Sequence, residues 1–200
     1  MTSGTRDRMI DAAVRAMRRD GVEGMSFTNV LRESGAARGA IYHHFPGGKD
    51  QLVEEAVTGN GDEVRALLAQ LPADSPAGVT RGFLELIRPV VLESAGGSGC
   101  AVAAAAMASS ASDHDQLDGA RRRDAGLHAA AAAAIGSWID ELAGRFVAAG
   151  LADAGARDLA ASLITILEGA HVLARATGGT DAFDQTARVF QALVEHRYGN

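Results

Sequence analysis

The sequence predicts an all-α protein, and three observations lead to that prediction. Aromatic residues make up only 4% of the 200 residues, and the apolar alternation that marks strands is absent. Ala, Leu, Arg and Glu, which favour helix, dominate the composition. Apolar residues recur at intervals of three and four between breaks rich in Gly and Pro, which is typical of amphipathic helices.

The first three predicted helices are short and closely spaced. The first shows an apolar face at helical spacing, and Gly21 ends it. Ser26 is a suitable cap for the second helix, and Gly35 closes it, because glycine adopts the left-handed conformation that follows many helices. The third helix ends at the turn formed by Pro46–Gly48.

The remaining helices are longer, and Gly and Pro interrupt or separate them. We expect Gly59–Gly61 to weaken the fourth helix, and Pro89 to kink the fifth or end its regular part. Ser75 is a plausible cap for that fifth helix, with Pro76 as its first residue. The nine predicted helices cover about Arg6–Arg19, 26–35, Arg38–His44, Lys49–Leu71, Ala77–Ser94, Cys100–Ser109, Leu117–Ala149, Ala156–Thr177 and Asp181–Tyr198.

Composition excludes several classes of protein. Cys100 is the one cysteine, so neither an internal disulfide framework nor a cysteine-based metal site is expected. No run of roughly 18 apolar residues predicts a transmembrane span, and the N-terminus does not resemble a signal peptide. We therefore expect a cytoplasmic protein with no membrane partner.

Charge is distributed unevenly along the chain. Residues 1–49 hold eight basic against five acidic residues, a net charge of +3, whereas residues 50–200 hold eleven against twenty, a net charge of −9. A mildly basic head on an acidic body is common where the head alone binds DNA. The pattern favours a division into residues 1–50 and 51–200.

Residues 26–45 have the pattern of a helix-turn-helix. Two short helices flank a tight turn at Gly35, and the second helix of such a motif enters the major groove. Ile41 and Phe45 lie four residues apart and form an inner side that can pack on the first two helices. The other side presents groups that suit DNA, namely Arg38, Gly39, Tyr42 and His43.

The segment Ser26–Leu52 resembles the DNA-binding domain of TetR/AcrR-family transcriptional regulators. The diagnostic run, residues 38–52, reads Arg-Gly-Ala-Ile-Tyr-His-His-Phe-Pro-Gly-Gly-Lys-Asp-Gln-Leu. Its Pro-Gly-Gly-Lys variant, together with Gly99–Ala103, is similar to the LmrA/YxaF-like branch. The resemblance implies a three-helix DNA-binding domain over 1–50, followed by a helical ligand-sensing and dimerisation domain over 51–200. Ala37 departs from the pattern, because many relatives have Ser or Pro there, and a Ser could cap the third helix.

The resemblance also implies roles for single residues. Lys49 matches a phosphate-binding position, and it lies near the N-terminus of the fourth helix, whose amides favour an anion. Arg38 matches a position near base edges, where it can pair bidentately with guanine. A packing role stays open for Tyr42 and for His44. The DNA-binding candidates are Thr28, Tyr42 and Lys49 for phosphates, Arg38 and Gly39 for base edges, and His43 for the backbone or a base.

Binding to a palindromic operator requires two copies of the head, so we expect a homodimer. Apolar stripes on the last two helices can form an intersubunit four-helix bundle, as in the family. The alternative is that the stripes fill the monomer's own core, but Leu167, Val172 and Leu193 are available for that purpose. The predicted interface residues are Leu159, Leu163, Ile166, Ala170, Leu173, Phe183, Ala187, Phe190 and Val194.

The resemblance further implies a ligand cavity enclosed by the fourth to seventh helices. Small residues such as Ala103–Ala106 leave space for a small hydrophobic ligand, although close helix packing through Ala is an equally compatible interpretation. The candidate lining residues are Phe83, Ile87, Val90, Met107, His128, Trp138 and His171.

The predicted function is ligand-responsive transcriptional control, most often repression, and the alternative is a ligand-independent architectural DNA-binding protein. An enzyme is not expected. Glu168 and His171 have the Glu-x-x-His spacing of di-iron proteins, but the sequence has no second such pair. Asp113–Gly119 departs from a calcium loop and is expected to be a polar loop. We predict neither a metal site nor a cofactor.

Overall fold

The computed structural model describes residues 4–108 and 117–198, and it describes side chains from residue 124 onward in the second of these ranges. The polar loop predicted at 113–119 begins outside the described residues. None of the described residues lies in a strand. The helices are α1 (Thr5–Gly24), α2 (Phe27–Ser34), α3 (Ala40–His44), α4 (Gly48–Leu68), α5 (Pro76–Ala95), α6 (Ala101–Ala106), α7 (Leu117–Ala148), α8 (Asp153–Thr177) and α9 (Asp181–Tyr198).

The chain forms two compact units, and neither is continuous in sequence. The first unit comprises Met1–Asp62 and Cys100–Ala134, and the second comprises Glu63–Gly99 and Ile135–Asn200. Both α4 and α7 contribute residues to both units. The compact units therefore do not coincide with a simple division at residue 50, because α6 and the first half of α7 group with the N-terminal helices.

In the first unit, α1 packs against α2 and α6. The side chains of Met9, Met17 and Val30 are fully buried there. The predicted caps of α2 are confirmed: the Ser26 hydroxyl accepts a hydrogen bond from the Asn29 amide at 3.3 Å, and Gly35 has φ +66°. These local interactions set both ends of α2.

Two predictions about helix continuity are corrected in the first unit. Gly21 does not end α1, because the chain resumes helix to Gly24 after one non-helical residue with φ +73°. Gly59–Gly61 does not weaken α4, which runs unbroken to Leu68. A Cβ at Gly61 would lie 2.8 Å from the Cβ of Ala134, so the missing side chain lets α4 and α7 approach closely.

In the second unit, α5, α8 and α9 pack against one another. The predicted start of α5 is confirmed, because the Ser75 hydroxyl accepts from the Gly78 amide at 3.0 Å with Pro76 as the first helical residue. Pro89 lies inside α5 and does not end it. Burial of Phe83, Ile87 and Val91 on both sides of Pro89 explains why packing outweighs one lost backbone hydrogen bond.

The helix α8 is the one described helix whose length and composition would allow it to cross a membrane, with a mean hydropathy of 1.4 over its most apolar window. A core helix of a globular domain has the same composition. The packing of α8 against α5 and α9 covers part of this apolar surface, and 39% of the window is buried.

Candidate DNA-binding surface

Two apolar residues hold α3 against the core of the first unit. Ile41 and Phe45 are fully buried, and the Phe45 amide donates to the Ile41 carbonyl at 2.7 Å. The guanidinium of Arg6 lies 5.4 Å from the centre of the Phe45 ring, and Arg6 also pairs with Glu55. These contacts determine which face of α3 is buried, so the opposite face points to solvent.

The helix α3 begins two residues later than predicted. Arg38 and Gly39 lie in a turn before it, and the Ala40 amide closes this turn on the Ala37 carbonyl at 2.9 Å. Ala37 has no side-chain acceptor with which to cap an earlier start. Arg38 and Gly39 are both exposed. No atom would lie within 4 Å of a Cβ on Gly39, so the backbone here is open to close approach.

Tyr42 and His43 are exposed on α3, and the tyrosine side chain is 69% exposed. The Tyr42 ring meets the Phe27 ring edge-on with 6.5 Å between centres, and this contact helps to orient it. His44 is half-buried beside Phe45, with 6.5 Å between ring centres. The geometry therefore favours packing for His44 and outward presentation for Tyr42.

Lys49 lies in the first turn of α4 and is half-buried. Its Nζ donates to the Glu23 carbonyl at 3.5 Å, near the end of α1. The amide of Gly47, just before α4, donates to Oε1 of Gln51 at 2.8 Å. Lys49 thus bridges the start of one helix and the end of another, while Thr28 is exposed in the first turn of α2.

An open groove between α2 and α3 joins several of these residues, with a volume of about 400 Å³. It contains Thr28, Arg38 and Tyr42, and also Arg32, which the sequence analysis did not single out. Arg32 lies four residues after Thr28, and this spacing on one face of α2 is the signal that would have found it. The full lining is Phe27, Thr28, Leu31, Arg32, Ala36, Arg38, Ile41 and Tyr42.

Two arginines of α1 pair with one carboxylate on α2. Arg19 lies 3.0 Å and Arg15 lies 3.7 Å from the carboxylate oxygens of Glu33 on α2. Arg8 donates to the Ser34 carbonyl at 3.1 Å, which ties α1 to the end of α2. Arg8, Arg15 and Arg19 are thus engaged within the first unit, whereas Nε of Arg18 is buried without a hydrogen-bond partner among the described residues.

The candidate ligand residues fall into both compact units. Met107 and His128 belong to the first unit, and the other five belong to the second. Met107 is corrected as a lining residue, because its side chain follows the end of α6 and is 74% exposed. His128 is exposed, with Nε2 2.9 Å from the Ala108 carbonyl oxygen. The five in the second unit are buried or half-buried, namely Phe83, Ile87, Val90, Trp138 and His171.

His171 forms a buried polar contact in the second unit. Its Nδ1 lies 2.6 Å from the Ser94 hydroxyl oxygen, and both side chains are buried. The same hydroxyl lies 3.0 Å from the Val90 carbonyl oxygen, one turn earlier on α5. Among the described residues, no group of three His, Cys, Asp or Glu side chains is placed to hold a metal ion. Cys100 caps α6, where its Sγ accepts from the Ala103 amide at 3.3 Å.

The structure divides the predicted dimer stripes differently from the sequence. The interface prediction is corrected for four residues. They are buried within the chain's own fold, where α5, α8 and α9 pack together: Leu163, Ala170, Phe183 and Val194. Leu173 is exposed, and Leu159, Ile166, Ala187 and Phe190 are half-buried.

The assignment of Val172 and Leu193 to the core is also corrected. Their side chains are 64% and 60% exposed, and that of Val189 is similarly exposed. Together with Leu173, they form an apolar face on α8 and α9, which we call the α8/α9 face: Val172, Leu173, Val189 and Leu193. Leu167 is buried, in agreement with its predicted place in the core.

Both parts of the chain match described families. Residues 9–56 match bacterial regulatory proteins of the tetR family, and residues 76–189 match the C-terminal domain of LmrA/YxaF-like transcriptional regulators. The chain is 34% identical over 191 residues to an uncharacterized HTH-type transcriptional regulator of Mycobacterium tuberculosis, covering 96% of this chain and 94% of that protein. It is 35% identical over 83 residues to the HTH-type transcriptional regulator LmrA of Bacillus subtilis, covering 40% of this chain and 44% of that protein.

Solved structures show the same fold. A TetR transcriptional regulator from Legionella pneumophila superposes with a TM-score of 0.76 at 21% identity, over 96% of this chain and 98% of that one. The TetR family regulator CifR, solved as a cysteine mutant with 26-bp double-strand operator DNA, superposes with a TM-score of 0.63 at 23% identity, over 94% and 95% of the two chains. The chain is therefore a DNA-binding transcriptional regulator that belongs to the TetR family, in its LmrA/YxaF-like branch.

Proposed function

We propose that this regulator is a repressor that binds a palindromic operator as a homodimer and is released by a small hydrophobic molecule. The observation that supports it best is the exposure of Arg38, Tyr42 and His43 beside the open backbone of Gly39. These side chains can donate hydrogen bonds, and DNA offers phosphate oxygens and base-edge acceptors to such groups. In this proposal Thr28 and Lys49 hold phosphates, and Arg38 and Gly39 approach base edges.

The homodimer is proposed to form through the α8/α9 face. Exposed apolar side chains on two adjacent helices mark a protein interface, and a second copy supplies a self-complementary surface. The proposed interface also includes the half-buried Leu159, Ile166 and Phe190, with Ala187 at its edge. A two-fold dimer would place two copies of α3 about 34–36 Å apart, which matches successive major grooves on one side of the DNA.

The ligand is proposed to enter the interior of the second unit beside Phe83, Trp138 and His171. Apolar walls with a few polar groups suit a hydrophobic molecule, and the Ser94–His171 contact can orient it. The ligand acts by favouring a state in which the two heads are wrongly spaced for the operator. Thermodynamic linkage then requires that ligand and operator each weaken the binding of the other.

The decisive experiment is selection of genomic fragments with the purified protein, followed by footprinting. A protected palindrome is the expected result, and that fragment then serves as the probe for molecules that release the protein. Equal binding to all fragments, with affinity falling steeply as salt rises, would contradict the proposal and favour the architectural alternative. A regulator acting on such an operator would be expected in the cytoplasm.

A further inference from the structure

We propose that Arg32 is an additional DNA contact, and that it holds a backbone phosphate at the groove between α2 and α3. The inference rests on the proposed presentation of α3 to DNA, and it adds a residue of α2 to that surface. The observations that support it are the chemistry of the groove, the pairing of the neighbouring charges and the position of Arg32 on its helix.

The polar side chains that line the groove can all act as hydrogen-bond donors. They are Thr28, Arg32, Arg38 and Tyr42, and the lining includes no carboxylate. The other lining residues are apolar and include Leu31 and the buried Ile41. A group that accepts several hydrogen bonds and carries negative charge is the natural complement of such a set, and a phosphate is both.

The charges around the groove point the same way. Within the described part of the chain, Arg32 and Arg38 form no ion pair, although Arg15 and Arg19 both reach Glu33, the residue next to Arg32. The carboxylate nearest to Arg32 in sequence is thus engaged by α1. Two guanidinium groups beside one groove repel each other, and an anion between or beside them offsets that repulsion.

The position of Arg32 distinguishes a phosphate contact from base recognition. It lies on α2, one turn after Thr28, and the first helix of a helix-turn-helix crosses the DNA backbone while the second enters the major groove. Arg38, in the turn before α3, lies nearer to the helix that reaches base edges. Arg32 therefore contributes affinity without sequence preference.

The test measures operator affinity against salt concentration for the full-length protein and for Arg32→Ala. The variant is expected to bind about tenfold more weakly, because a charge-assisted hydrogen bond is lost. The slope of log affinity against log salt should fall by roughly 0.9 for each phosphate contact removed. Arg15→Ala is the matched control, since it removes the same charge from the same unit at a residue already paired with Glu33.

A second arm identifies the phosphate itself. Methylphosphonate substitution removes one backbone charge at a time from an operator half-site. One position is expected to weaken the wild-type protein severalfold and to leave Arg32→Ala unchanged, and Arg32→Lys should restore part of the affinity. Equal effects of Arg32→Ala and Arg15→Ala, or equal sensitivity of both proteins at every phosphate, would overturn the inference.

The outcomes separate this inference from the proposed function. A wild-type protein that selects an operator while Arg32→Ala keeps its affinity and salt slope would remove Arg32 from the surface and leave the repressor proposal standing. Loss of affinity confined to operators with one particular base pair would also overturn it, since that result indicates base readout. A wild-type protein without any preferred operator would overturn both.

Discussion

The two compact units expose opposite kinds of side chain. On the first unit, α3 and the turn before it present Tyr42 and Arg38 to solvent over a buried apolar layer. On the second unit, α8 and α9 present Val172 and Leu193 to solvent, while the polar His171 is buried. The first surface suits a charged, hydrogen-bonding partner such as DNA, and the second suits another apolar surface.

The two units also differ in how much packing holds these helices in place. The five-residue α3 is fixed by two buried residues, Ile41 and Phe45, so most of its surface is available to a ligand. The 25-residue α8 packs on both α5 and α9, and it uses apolar residues on more than one side. Exposure therefore indicates the proposed DNA-binding face of α3 immediately, but the proposed dimer face of α8 only after the core residues have been identified.

The largest expected effect comes from removing the anchor beneath α3. Phe45→Ala should lower the free energy of unfolding by about 3–5 kcal/mol, because a fully buried ring is replaced by a cavity. Denaturant titration measures this change, and operator affinity should fall with it. Tyr42→Ala is the control, since the loss of an exposed ring should change stability by less than about 1 kcal/mol. Equal destabilisation by the two variants would contradict the anchoring of α3.

The next effect tests the α8/α9 face. Leu193→Asp should weaken the proposed homodimer by roughly 2–4 kcal/mol, because it places an unpaired carboxylate in an apolar interface. Sedimentation over a range of protein concentrations measures the dissociation constant. Leu92→Asp makes the same change at an exposed leucine on α5 and should leave dimerisation intact. Dissociation by Leu92→Asp alone would move the interface from α8 and α9 to α5.

A smaller effect tests the close approach of α4 and α7 in the first unit. Gly61→Ala should lower the free energy of unfolding by about 1–2 kcal/mol, because its Cβ would clash with that of Ala134 and overpacking costs more than helix propensity returns. Gly59→Ala on the same helix meets no atom within 4 Å, and it should raise stability by about 0.5–1 kcal/mol. Thermal or denaturant unfolding measures both, and stabilisation by both would refute the close contact.

The smallest effect is that of one hydroxyl on the exposed surface. Tyr42→Phe should weaken operator binding by about 0.5–1.5 kcal/mol, because one hydrogen bond is lost while the ring contact with Phe27 remains. Fluorescence anisotropy with the selected operator measures the affinity. Dimerisation and thermal stability should be unchanged. An operator affinity equal to that of the wild type would count against the proposed docking of α3.

The sequence alone determined the features that depend on neighbours along the chain. The caps at Ser26 and Ser75, the left-handed Gly35 and the outward placement of Tyr42 were all predicted and are present. Each depends on a hydrogen bond, a backbone angle or a helical spacing within a few residues. The family motif lies in the same short segment, so fold class and DNA binding followed from it.

The tertiary structure decided what depends on distant residues. Helix α8 carries apolar side chains on several sides, so spacing could not tell that Leu163 faces the core and Val172 faces solvent until α5 and α9 were in place. The glycines at 59–61 predicted a weakened α4, whereas Gly61 lies against Ala134, which is far along the chain. The spacing of Thr28 and Arg32 places both on one face of α2, but the groove that they line exists only because α3 packs beside that helix. Packing between separate segments has no signature in local sequence, and these assignments rest on it.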